Sequence, residues 1–152
     1  MPRSRLLLCL AYGATALLAL VATWHQNLAY FRADEGPLAG FAGATGRFWP
    51  ATLATPASTS ITIDIGLFFF AAAVCRVIEA RRLDVRFVWL YVLFGALVAI
   101  SVTFPLFLIA RERRLVARGG ASADLGLGSG DVIALVVFGA GNALFALWTL
   151  GR

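Results

Sequence analysis

Four long apolar runs, at 6–23, 60–78, 87–110 and 132–150, alternate with stretches that hold nearly all of the charge. Each run approaches the roughly 20 residues that a helix needs to cross a bilayer core about 30 Å thick. The pattern predicts four transmembrane helices. Arg3 and Arg5 ahead of the first run resemble the start of a signal peptide. The run is longer than the usual core of about 7–15 residues, and no small-residue cleavage signal follows it. It is therefore read as a span, with Trp24 as an interfacial anchor.

Residues 25–60 are too polar and too broken by glycine and proline to cross a membrane. Pro37, after Asp34 and Glu35, suits the first turn of a helix. At 100° per residue Leu38, Phe41, Phe48 and Trp49 share one side, the pattern of a short helix lying on a membrane surface. Pro50 and Pro56 mark a boundary, and Ser58, Thr59 and Ser60 offer N-caps for the second span. That span carries Asp64 about one turn inside and Arg76 near its far end, where a long side chain can snorkel to the headgroups. The polar turn 79–86 is short, which implies an antiparallel hairpin with the third span.

Trp89 and Tyr91 open the third span, and Pro105 interrupts it with Ser101 and Thr103 just upstream. A proline removes one helical hydrogen bond and kinks the rod. Gly95 and Ala99 form a small-xxx-small pair that lets another helix approach closely. An arginine cluster at 111–118 leads into the linker GGASADLGLGSGD. Asp131 is placed to cap the last span, where Gly139, Asn142 and Ala143 suit packing on protein. The expected fold is all-α: a polytopic membrane protein with four transmembrane helices in an antiparallel bundle. Its expected units are a three-helix part at 1–115 with an interfacial segment at 25–60, a linker at 116–131, and the fourth helix at 132–152.

Composition supports lipid as the solvent. Hydrophobic residues make up 61% of the chain and mean hydropathy is +0.85, against roughly 45–50% apolar usage in soluble domains. The net charge of +5 comes from thirteen basic residues, all arginine. They flank apolar runs and form no separate basic face, which excludes a nucleic-acid partner and favours anionic headgroups. An Arg-only basic set with abundant Ala and Gly also suggests a GC-rich bacterial genome. With four spans the arginines divide almost evenly between the two sides. The weakly charged 25–60 segment then favours a cytoplasmic N-terminus and a cytoplasmic C-terminus.

Asp64 is the leading candidate for chemistry, because a charge inside the bilayer costs at least about 2.5 kcal/mol. On the four-span arrangement His25, Ser101 and Thr103 lie toward the same face. Together they define an expected polar pocket for the head of a lipid, with Asp64 as a possible acid or base. The plainer expectation is that Asp64 caps backbone groups or pairs with an arginine. Arg76, Glu79, Arg81, Arg82, Arg111 and Glu112 are read as headgroup-level groups that set orientation. Cys9 and Cys75 are read as small buried hydrophobes. No metal-ligand spacing and no cofactor motif is present, so neither a metal nor a cofactor is expected.

The order Pro56, Asp64, the Glu79-x-Arg81-Arg82-Leu83 turn, Trp89, Pro105-Leu106-Phe107-Leu108 and Arg111-Glu112 resembles a family of small bacterial integral membrane proteins. That family is classed only as a domain of unknown function. The likeness covers about residues 6–115 and implies a multi-pass location in the bacterial inner membrane, with no activity. An aspartate followed by small and aromatic residues in one helix is also similar to plant plastid proteins of carotenoid conversion. The expected function is an accessory or lipid-associated bundle with a polar site around Asp64, its partners being membrane lipids and other membrane helices or a second copy. The alternative is an isomerase- or cyclase-like enzyme acting on an isoprenoid or lipid.

Overall fold

The computed structural model describes residues 1–31, 36–120 and 125–151, and every regular element among them is helical. The main helices are α1 (Arg3–Asn27), α2 (Pro37–Thr52), α3 (Pro56–Leu83), α4 (Val88–Leu97), α5 (Ile100–Ala117) and α6 (Ser129–Leu150), with a short 3₁₀ turn at Leu28–Tyr30 after α1. Asp34 and Glu35, expected to precede α2, lie outside the described residues, as do Arg32, part of the linker and Arg152.

Among the described residues three helices, α1, α3 and α6, are long and apolar enough to cross a membrane. At about 1.5 Å per residue their 25, 28 and 22 residues make rods of roughly 37, 42 and 33 Å. The expected third span, at 87–110, is not one rod. It is divided into α4 and α5 at Val98 and Ala99, where Ala99 is fully extended (φ −178°, ψ 141°). The chain reverses there. Gly95 approaches Thr103, and the Tyr91 and Phe107 rings meet at 5.7 Å, so the two helices lie antiparallel as a hairpin. α4 has 10 residues, roughly 15 Å, half the thickness of a bilayer core.

The sequence around the reversal explains where α5 begins. Ile100, Val102 and Thr103 are β-branched and stiff in a helix, and Pro105 withholds the N–H that Ser101's carbonyl would accept. Ala99's carbonyl becomes the N-terminal acceptor instead, taking the N–H groups of Val102 and Thr103, each at 3.2 Å, and the Thr103 hydroxyl at 3.4 Å. Pro105 itself sits inside an intact α5. The interruption therefore falls six positions upstream of the proline expected to cause it.

Two helix starts also lie earlier than their caps suggested. Thr55 caps α3 in a reciprocal box: its hydroxyl accepts the Ser58 N–H, and the Ser58 hydroxyl accepts the Thr55 N–H, both at 3.1 Å. Thr55→Ala should lower stability by about 1 kcal/mol, read as a lower melting temperature in detergent. Asp131 lies in the first turn of α6 rather than at its cap, where its carboxylate accepts the Gly128 N–H at 2.9 Å.

The register is set by cross-helix contacts. Phe68 meets Phe104, Glu79 meets Arg111, and Arg118 donates to the Arg82 carbonyl, so α3 and α5 run parallel. α1 runs against α5, with Arg5 on Glu112 and Gly13 facing Ile109. Ala80, Leu83, Val85, Val88 and Phe107 form the buried core, where α3, the turn after it and the hairpin meet. Most other large apolar side chains face outward, among them Leu17, Phe70 and Phe138. The accessible surface is 10309 Å², against about 7,500 Å² for a soluble globular chain of this mass. Apolar exposure on that scale marks surface suited to cover by lipid or by other protein.

Candidate functional site

α3 carries two charged groups within its apolar stretch, Asp64 and Arg76, and the fold treats them oppositely. Arg76 is 0% exposed. Its guanidinium donates to the Ala72 carbonyl (3.2 Å), the Tyr91 carbonyl (2.9 Å) and the Thr103 hydroxyl (3.3 Å), and lies over the Phe69 and Phe104 rings at 5.6 and 5.8 Å. Nη2 has no hydrogen-bond partner, and no carboxylate pairs with Arg76 among the described residues. The headgroup position expected for this side chain is thus replaced by an enclosed one. Arginine suits the site because its planar fork reaches three acceptors at once and stacks on aromatic faces.

Asp64 is exposed. No hydrogen bond or ion pair joins it to another described residue, so it neither caps nor pairs within the chain. His25 and Ser101 are exposed too, while Thr103 is buried and engaged by Arg76. Twelve residues separate Asp64 from Arg76 along α3, roughly 18 Å, so Thr103 belongs to the arginine's site. The last turns of α1 and α6 frame an open groove of about 530 Å³ whose lining includes Thr23, Gln26, Asn27 and Phe145.

Five further charged residues, Arg5, Glu79, Arg82, Arg111 and Glu112, form a second centre. Glu112 is buried and accepts Arg5 at 2.6 Å and Arg111 at 2.8 Å. Arg111 also binds Glu79 at 2.8 Å, and Glu79 meets the exposed Arg82 at 3.4 Å. This chain of charges ties α1, α5 and α3 together at one end. Glu79, Arg82, Arg111 and Glu112, read from sequence as two separate clusters, belong to one network, whereas Arg81 is exposed and outside it. Arg5 was missed as a member, since nothing in its local sequence points to Glu112. Phe69, Tyr91, Phe104 and Gly95 around Arg76 were missed as well. Phe69 lies seven positions before Arg76 on one face of α3, the one periodic hint of a ring beneath the cation. Cys75 is exposed and Cys9 half-buried, so the expectation of two buried thiols fails for Cys75. Among the described residues no group of His, Cys, Asp and Glu converges as metal ligands.

Among the described residues the fold is all-helical, with three candidate membrane spans, a half-length hairpin and an enclosed arginine, a class of architecture compatible with a membrane protein. More narrowly, the chain belongs to the family described as Protein of unknown function DUF2834, whose model matches residues 11–113. The match ends within α5, ahead of the linker and α6. No curated protein and no solved structure matches the chain.

Proposed function

We propose that the protein is a multi-pass component of the bacterial inner membrane that works by association, as an accessory partner docked through the Asp64 face of α3. The carrying observation is the contrast within that helix. The cation, Arg76, is satisfied inside the chain, whereas Asp64 is exposed with no partner of its own. A carboxylate facing acyl chains costs at least about 2.5 kcal/mol toward the bilayer centre, so the fitting occupant is a transmembrane helix presenting an arginine, lysine or amide donor at that depth. The exposed Ile61 and Leu67 flank the acid one turn to either side and supply the apolar part of the contact.

A photo-reactive residue placed at Leu67 in native membranes should give one defined adduct. Asp64→Leu should abolish it and Asp64→Glu should retain it. The same probe at the exposed Ile133 of α6 serves as the control. An unchanged adduct in Asp64→Leu counts against the docking role. Loss of conversion of a lipid substrate in Asp64→Asn, with the adduct kept, would turn the assignment toward the enzymatic alternative. Extraction of the chain by alkaline carbonate would remove the membrane premise altogether.

A further inference from the structure

Three basic segments far apart in sequence meet at one end of the bundle. Arg5, in the first turns of α1, reaches Glu112 near the end of α5. The end of α3 reaches the same place, through Glu79 to Arg111 and through the Arg82 carbonyl to Arg118. The arginines of residues 3–5, 81–86 and 111–118 therefore share one end, because the α4–α5 hairpin returns the chain to the side it left. Glu79 and Glu112 are held inside the ion-pair network, while Arg3, Arg81, Arg86 and Arg113 are exposed and unpaired among the described residues. At the other end the described arginine is Arg47, which donates to the Tyr30 carbonyl.

α6 completes the arrangement. Gln26, in the last turn of α1, donates to the Thr149 carbonyl in the last turn of α6 at 2.8 Å, so these two helix ends lie together, away from the arginines. The connection at 118–128 leaves α5 at the arginine end. At about 3.3–3.6 Å per residue it spans at most roughly 40 Å, and the roughly 33 Å rod of α6 must cross the bundle to bring Thr149 to Gln26.

We propose that the arginine-bearing end lies in the cytoplasmic leaflet and docks anionic phospholipid headgroups, that α4–α5 is a re-entrant hairpin, and that the chain crosses three times with its C-terminus on the opposite face. The inference rests on the reading that the chain spans a membrane and does not depend on Asp64. Arginine retained on one side orients a membrane protein, and the anionic leaflet attracts such a cluster. The complement of the unpaired arginines is a phosphodiester headgroup.

Two measurements test it. Alkaline phosphatase fused after Gly151 should be active and a fluorescent protein there dark, while the same reporters inserted at Gly120 should give the reverse. Both positions reporting one side overturns the three-crossing topology and leaves the Asp64 reading standing. The purified full chain should melt several degrees higher in nanodiscs of equal parts phosphatidylcholine and phosphatidylglycerol than in phosphatidylcholine alone. Salt should shrink that gain. Arg81→Gln/Arg86→Gln/Arg113→Gln should lose it while melting normally in phosphatidylcholine, because none of the three pairs inside the fold. Equal melting in both lipids, a gain retained by the triple variant, or a gain reproduced by inorganic phosphate in phosphatidylcholine discs overturns the headgroup assignment.

Discussion

Glu112→Leu is expected to destabilise the bundle by about 3 kcal/mol, measured by equilibrium unfolding in mixed micelles. Breaking a buried ion pair by removing one partner costs about 3–5 kcal/mol, because the surviving charge stays desolvated. Glu112 faces two such charges, with its own side chain 3% exposed, Arg5 at 14% and Arg111 at 31%. The low end of the range applies because Arg111 keeps Glu79 and both arginines lie near the bundle's charged end. Glu112→Gln retains an acceptor for one arginine and should lose about 1–2 kcal/mol, the difference between a charged and a neutral bond. A double-mutant cycle of Arg5→Gln with Glu112→Gln should show coupling of at least about 0.5 kcal/mol. Arg82→Gln should show little, since Arg82 is 72% exposed and meets Glu79 at 3.4 Å. Additive behaviour of Arg5 and Glu112 would mean that the network does not hold α1 to α5.

The same network shows what was legible in the chain and what was not. Span-length apolar runs identified α1, α3 and α6, because length and composition alone decide whether a helix can cross a bilayer. They misread 87–110 for that reason: the run is long enough, lacks charge and carries a proline suggestive of a kink. The β-branched residues and Pro105 mark where α5 begins, but the reversal at Val98 and Ala99 also rests on packing between the elements, the approach of Gly95 to Thr103 and the capture of Tyr91's carbonyl by Arg76. Reading 87–110 as one continuous rod also set the 111–118 arginines at the opposite end from Arg5 and the 79–86 turn, whereas Glu112 meets Arg5 and Arg111 meets Glu79. Snorkelling was the reasonable expectation for Arg76 near a helix end, yet two aromatic rings and three acceptors outcompete the headgroups. Asp64 stands out in the sequence as the acid within the apolar run of α3, and the fold leaves it exposed. Of the companions expected for it, His25 and Ser101 are exposed and Thr103 accepts from Arg76.

Gly95→Ala is expected to cost about 1–3 kcal/mol, although alanine is worth up to about 1 kcal/mol more than glycine inside a helix. A Cβ at Gly95 would lie 2.9 Å from Phe69 Cε2 and 2.9 Å from Thr103 Oγ1. Either side chain could turn aside in isolation. Here both are already committed to Arg76: the Phe69 ring lies under the guanidinium and the Thr103 hydroxyl accepts from Nη1. Relief of the clash therefore loosens the contacts that keep a buried cation tolerable, and Gly95→Val should be worse than Gly95→Ala. Gly66→Ala and Gly139→Ala, with nothing within 4 Å of the added atom, should raise stability slightly and calibrate the propensity gain. Thr103→Ala in the Gly95→Ala background removes one of the two clashing atoms and should recover part of the loss, whereas alone it should weaken the chain by deleting an acceptor of Arg76. Arg76→Ala leaves a void at a fully enclosed position and should cost about 3–5 kcal/mol, the range for truncating large core side chains. Arg76→Met, which fills that volume without a charge, should be milder than Arg76→Ala. If Gly95→Ala instead stabilises as Gly139→Ala does, the α4–α5 hairpin does not close on α3 through Arg76.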